Sequence, residues 1–133
     1  KTERKNIMEK KVIVSEKSPA AIGPYSQAIE YNGIVYTSGV IGVNPATGEV
    51  GETIEEQTTQ VFENLKGLLA DAGSILDQAI KTTVFIKNMD DFAKVNEIYA
   101  TYFTGAFPAR SCVEVARLPK DLLIEVEVTA IKG

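Results

Sequence analysis

Apolar and polar positions alternate at a period of two along some stretches of the chain and recur at helical spacing along others. Val12 to Val14 reads as a short strand, followed by a Ser-, Pro- and Gly-rich loop from Ser15 to Pro24. Ser26 to Tyr31 and Ile34 to Val40 alternate on either side of Asn32-Gly33, a pair that tolerates positive φ and predicts a tight hairpin. Ile54, Val61, Phe62, Leu65, Leu68, Leu69 and Ala72 form one helical stripe. Thr53 and Glu56 stand at capping-box spacing before that stripe, and Gly73 follows it. Ala79 to Ile86 predicts a strand. Asp90 to Phe103 predicts a second amphipathic helix, with Phe92, Val95, Ile98, Tyr99, Tyr102 and Phe103 facing inward. The last run, Pro108 to Glu127, holds two alternating segments around Pro119-Lys120-Asp121 and reads as an antiparallel hairpin.

The predicted order is β-ββ-α-β-α-ββ, an α+β fold with a single mixed sheet and two helices on one face. Two helices cover only one side of such a sheet. Alternation places Arg110, Cys112 and Glu114 on one side of their strand, with Ser111, Val113 and Val115 on the other. In the final strand Glu125, Glu127 and Thr129 oppose Ile124, Val126 and Val128. Aligning the apolar sides brings Arg110, Cys112 and Glu125 together on the helix-free face. That face must meet solvent, a ligand or another subunit, and a symmetric oligomer with pockets at its seams satisfies all three demands.

Composition narrows the chemistry. A chain of 133 residues is long enough for one domain with a real core, read as 8–133. Residues 1–7 precede Met8 and read as a leader or cloning remnant, expected to be flexible. A net charge of -4 argues against a nucleic-acid partner, since phosphate binding draws on clustered Lys and Arg. No apolar stretch approaches a membrane span, so no membrane partner is expected. One cysteine precludes an internal disulfide and suits a reducing, cytoplasmic setting. The chain has no histidine, which removes Ser-His and Cys-His pairs and speaks against a zinc or iron site. Gly39-Val40-Ile41-Gly42 lacks the Lys-Ser/Thr of a phosphate loop. Proton transfer falls to carboxylates, Tyr, Lys, Cys or water.

Each candidate residue has a functional and a plain reading. Arg110 offers a planar fork for a carboxylate, or an internal ion pair with Glu127 or Glu114. Glu125 is a water-orienting acid/base, or a wet-face partner for a cation. Cys112 is a small buried hydrophobe or a pocket-lining thiol; without a histidine it lacks the helper a nucleophile needs. Tyr25 is a surface aromatic or a pocket wall. Ser38 and Gly39 are a strand end, or a hydroxyl and an N–H for an anion. Asn96, four residues after Phe92 and three before Tyr99, is a helix-surface amide or a cleft residue.

Ile22-Gly23-Pro24-Tyr25-Ser26-Gln27-Ala28, Thr37-Ser38-Gly39 and Pro108 through Glu127 strongly resemble the RidA/YjgF family of reactive-intermediate deaminases. The likeness runs from Met8 to Gly133. It implies a chorismate-mutase-like fold and a homotrimer with active sites in clefts between subunits. It implies hydrolysis of 2-aminoacrylate and related imino acids to 2-keto acids and ammonia without a cofactor, a metabolite damage-control role. By the same resemblance Arg110 holds the substrate carboxylate and Glu125 is catalytic, while Tyr25, Ser38, Gly39, Asn96 and Cys112 line the cleft. The expected partners are small imino- or keto-acid carboxylates and further copies of the chain. The rival reading is a regulatory module that binds small carboxylates without turnover. A ribonuclease or translation-inhibitor role, attached to some relatives, fits the acidic charge and absent histidines poorly.

Overall fold

The computed structural model describes residues 9–133, and the leader expected over 1–7 lies outside them. Seven strands form one sheet: β1 (Lys11–Ile13), β2 (Ala28–Tyr31), β3 (Ile34–Thr37), β4 (Val40–Ile41), β5 (Ala79–Ile86), β6 (Ala109–Glu114) and β7 (Ile124–Ile131). Two helices, α1 (Ile54–Asp71) and α2 (Phe92–Thr101), join the strands and pack on each other. The spatial order is β1-β2-β3-β7-β5-β6, with β4 also pairing with β7. Only β5 and β6 run parallel, so the sheet is mixed.

Local signals behave as their chemistry demands. Asn32 (φ 51°) and Gly33 (φ 81°) both take the left-handed conformation that a two-residue turn requires, pairing Tyr31 with Ile34. The Thr53 hydroxyl accepts from the Glu56 N–H at 3.1 Å, and the Glu56 carboxylate accepts from the Thr53 N–H at 3.2 Å. Val61, Phe62, Leu65, Leu68 and Leu69 of α1 are fully buried against Val84, Val126 and Val128 of the sheet. α2 is shorter than the pattern implied: a separate 3₁₀ turn (Met89–Asp91) precedes it and Tyr102 caps it. Val95, Tyr99 and Phe103 are buried, whereas Phe92 sits at the rim, 36% exposed.

Two expectations are corrected. Pro108 to Glu127 is not a hairpin. β6 pairs with β5 in parallel, β7 pairs with the other edge of β5, and residues 115–123 lap around the end of β5. Val115 N–H donates to Ile86 O at 2.9 Å and Lys87 N–H donates to Leu123 O at 3.0 Å, tying that crossing to the end of β5. The second correction concerns faces. Arg110 pairs with Thr82 and Cys112 with Val84, both fully buried on the helix-covered face. Glu125 pairs with Phe85, on the opposite face. Arg110 and Cys112 therefore lie on the helix side and Glu125 on the helix-free side. The apolar Val113, 42% exposed, faces the open side instead of the core. β6 is an edge strand, so the side facing the helices need not be its apolar one.

The strand expected over Ile34 to Val40 is likewise broken. Between the pairs Tyr36–Thr129 and Val40–Val126, three residues (37–39) oppose two (127, 128). This bulge turns Val40 into the core and sets Ser38-Gly39 against β7, a device common beside active sites.

Candidate active site

Two candidate regions, each called a half-site, stand on opposite faces of the sheet. The first surrounds Arg110. Its Nη1 donates to Asn96 Oδ1 at 2.7 Å. The guanidinium carbon lies 4.8 Å from the Tyr99 ring centre and 5.4 Å from that of Phe92. Phe92, Asn96 and Tyr99 recur at helical spacing on α2, so one helix face supplies both rings and the amide. Tyr99 is fixed from behind by a 2.8 Å hydrogen bond between its hydroxyl and Thr82 Oγ1. Among the described residues Arg110 forms no ion pair; the internal partners considered for it, Glu114 and Glu127, are elsewhere. Glu114 accepts from the Met89 N–H at 2.8 Å, and Glu127 faces the other side of the sheet. Stacked on rings and held by a neutral amide, the guanidinium keeps free donors beside a cavity of about 450 Å³ lined also by Ala100, Phe107 and Pro108.

Cys112, the next residue on that face, does not line this cavity; it packs against the core. Burial pushes its thiol up, only partly opposed by the nearby Arg110 charge, so it is held as a protonated thiol.

The second half-site surrounds Glu125, in a cavity of about 290 Å³ that Tyr25, Ser38, Gly39, Ile41, Pro19 and Lys120 help to line. A Cβ on Gly39 would fall 2.1 Å from Glu125 Oε2, so only glycine lets the carboxylate lie where it does. Half-burial raises the Glu125 pKa above the usual carboxylate range, and the neighbouring Glu127 charge adds to the effect. Among the described residues nothing donates a hydrogen bond to this carboxylate. The Ser38 hydroxyl donates to Ser26 O at 2.6 Å and its N–H to Gln27 O at 2.9 Å. Ser38 thus spends both donors inside the chain and shapes the wall. Tyr25 is half-exposed, in a loop whose local turn is closed by its own N–H donating to Gly23 O at 2.8 Å.

Of the residues expected to meet, the fold joins Arg110 with Asn96, and Glu125 with Tyr25, Ser38 and Gly39. It does not join the two groups within one chain. The rings beside Arg110 were legible as core positions but not as its platform. Gln27 and Lys120 also line the Glu125 cavity, which their places in a loop motif and a turn do not signal. No group of three or more His, Cys, Asp or Glu among the described residues is placed to hold a metal ion. No helix among them is long and apolar enough to cross a membrane.

Known proteins share this sequence and fold. The family model described as endoribonuclease L-PSP matches residues 15–132. A RutC family protein of Pyrococcus abyssi is 50% identical over 126 residues, covering 94% of this chain and 99% of its own. The 2-iminobutanoate/2-iminopropanoate deaminase of Salmonella typhimurium is 50% identical over 125 residues, covering 92% of this chain and 98% of its own. Among solved structures, a Rid-family protein of Yersinia pestis superposes with a TM-score of 0.90 at 53% identity, over 92% of this chain and 99% of that one. TdcF of Escherichia coli with bound serine gives 0.89 at 41% identity, over 92% and 99%. With matches of this extent, the chain belongs to the RidA/YjgF family, whose model carries the endoribonuclease L-PSP description.

Proposed function

We propose that the protein is a cofactor-independent hydrolase that deaminates 2-enamino and 2-imino acids of the 2-aminoacrylate type, in sites assembled between copies of the chain. The observation that carries the reading is Arg110, a guanidinium with free donors, no ion-pair partner among the described residues and a cavity beside it. Relatives named 2-iminobutanoate/2-iminopropanoate deaminase at about half identity, and one relative with bound serine, support a small amino-acid-derived carboxylate as the ligand.

The chemistry needs little from the protein. Protonation at the terminal carbon, with loss of a proton from the nitrogen, turns the enamine into the imine. Water then adds to the C=N carbon, giving a carbinolamine, and loss of ammonia leaves the 2-keto acid. Arg110 pairs with the substrate carboxylate, while Asn96 and the two rings fix the plane of the fork. Glu125 accepts a hydrogen bond from the attacking water and takes its proton as the C–O bond forms; the proton leaves on the amine. Tyr25, Ser38 and Gly39 wall the reacting end. Because the imine hydrolyses in water on its own, orienting one water is a sufficient role.

Arg110 and Glu125 work together only if a second copy brings its Arg110 half-site to the Glu125 half-site of the first. The helix-free face carries Tyr31, Tyr36, Val113 and Ile131, each 40–47% exposed, an apolar surface suited to burial between copies. A homotrimer, as the resemblance implies, closes such a heterologous contact into a ring.

The test is keto-acid release in an assay coupled to a pyridoxal-phosphate dehydratase acting on serine or threonine. Arg110→Ala is expected to fold and assemble but to lose about a hundredfold or more in rate, in line with loss of substrate positioning. Glu125→Gln is expected to keep 2-keto acid affinity and lose turnover, which separates an enzyme from a binding module. Wild-type rates in Arg110→Ala overturn the assignment.

A further inference from the structure

Among the residues that wall the Glu125 cavity are the loop from Ser18 to Gln27 and residues 38–41. One side chain connects them. Gln27 is buried, only 7% exposed. Its Oε1 accepts from the Ser15 N–H at 2.8 Å. Its Nε2 donates to three backbone carbonyls, Ser15 O at 2.9 Å, Ser18 O at 3.2 Å and Pro19 O at 2.9 Å. Its own carbonyl accepts the Ser38 N–H at 2.9 Å. A ring of carbonyls around one NH2 admits a donor and repels an acceptor, so an amide fits where a carboxylate does not. An apolar residue there would leave several buried carbonyls without partners.

The 15–19 segment is also held from behind. Ser15 Oγ donates to Asp71 at 2.6 Å, Lys17 pairs with Asp71 at 3.3 Å, and Lys17 packs against Gly67 of α1. Residues 20–25 have no such support. They are exposed throughout and end in Tyr25. This exposed arch is therefore placed by its two feet, Pro19 and Gln27, and the Gln27 amide joins the feet to each other.

We infer that Gln27 is a positioning residue for this site: by tying residues 15–19 to the Ser38 bulge, it sets where Tyr25 stands over Glu125. The role of Tyr25 toward substrate rests on the proposed function; the mechanical link does not. The two are therefore read separately, by amide NMR of the ligand-free protein and by coupled kinetics. Gln27→Glu keeps the acceptor and loses the donors, whereas Gln27→Asn keeps both but draws the amide back from the loop. Both variants are expected to shift the Ser18, Tyr25 and Ser38 amide resonances and leave those of α2 in place. In the assay both should raise KM more than they lower kcat, because β7 and its Glu125 do not touch this amide. We expect kcat/KM to fall about tenfold or more, as for a mispositioned site. In a Tyr25→Ala background, which has no wall to misplace, the same change should cost less than about threefold, since residues acting through one another are not additive.

Should Gln27→Glu not fold, the neutral Gln27→Asn carries the test. Unshifted Tyr25 and Ser38 resonances overturn the inference, and so do losses that are fully additive with Tyr25→Ala. A wild-type protein inactive on imines would sink the functional proposal alone, and the resonance measurement would still decide the role of Gln27.

Discussion

A methyl group at position 39 has no room while Glu125 keeps its place, because the added carbon would meet Oε2 at 2.1 Å and Cδ at 2.6 Å. The atoms in the way are the far end of a flexible side chain, so the carboxylate would swing aside and the backbone would hold. Gly39→Ala is therefore expected to cost little in thermal stability and about a hundredfold in kcat/KM, the usual price of a displaced catalytic group. A Gly39→Ala protein with wild-type turnover would show that the carboxylate is not used where it lies. The raised pKa of Glu125 has a direction that can also be tested. If its carboxylate takes the proton from water, activity falls as pH drops through a value above the ordinary carboxylate range of about 4.3. Burial is the larger cause of that rise and the Glu127 charge the smaller. Glu127→Gln removes the smaller one, so the acid limb of the kcat/KM profile should move to lower pH without reaching the ordinary value. A limb that stays fixed would mean another group sets it.

At the scale of elements, what could be read in advance was what neighbours in sequence decide. The Asn32-Gly33 turn, the Thr53–Glu56 cap and the bounds of β5 depend on residues a few positions apart, and all three stand where their patterns put them. The cap gives a clean check. Thr53→Ala should lower stability by about 1 kcal/mol in unfolding at fixed protein concentration, with kcat unchanged because the cap touches neither half-site. What alternation cannot report is which strand lies next door. β6 and β7 alternate, and a Pro-containing turn separates them, yet β5 lies between them. Nor does alternation reveal which side of an edge strand meets the helices. In β6 that side carries Arg110, whose stem and stacked guanidinium replace the expected aliphatic residue. The candidate residues were legible as chemistry, since a fork, a carboxylate and an amide are recognisable anywhere. Their grouping was not, because it depends on strand order and on the bulge at Ser38-Gly39, both products of long-range pairing.

At the scale of the molecule, the proposed shared site makes a demand a single chain does not meet. Arg110 pairs across to Thr82 on the helix side, and Glu125 to Phe85 on the other, so the sheet separates the two groups within one chain. Were both groups required from one and the same copy, inactivating one in some copies and the other in the rest would leave nothing active. If each working site takes Arg110 from one copy and Glu125 from another, the outcome differs. Arg110→Ala and Glu125→Gln are each expected to be inactive as homo-oligomers. After the two are unfolded together and reassembled at equal ratio, a site is intact whenever its Glu125 comes from the first variant and its Arg110 from the second. Random assembly makes that about one site in four, for any closed ring or two-fold pair, since each site draws independently on two neighbours. Recovery of about a quarter of wild-type kcat per site, with unchanged KM, is the expected result. Because intact sites in the mixture are wild type in every residue, lower recovery with altered KM would point to a damaged interface. No recovery from a mixture shown by mass to contain hetero-oligomers would place Arg110 and Glu125 in separate functions and end the shared-site reading.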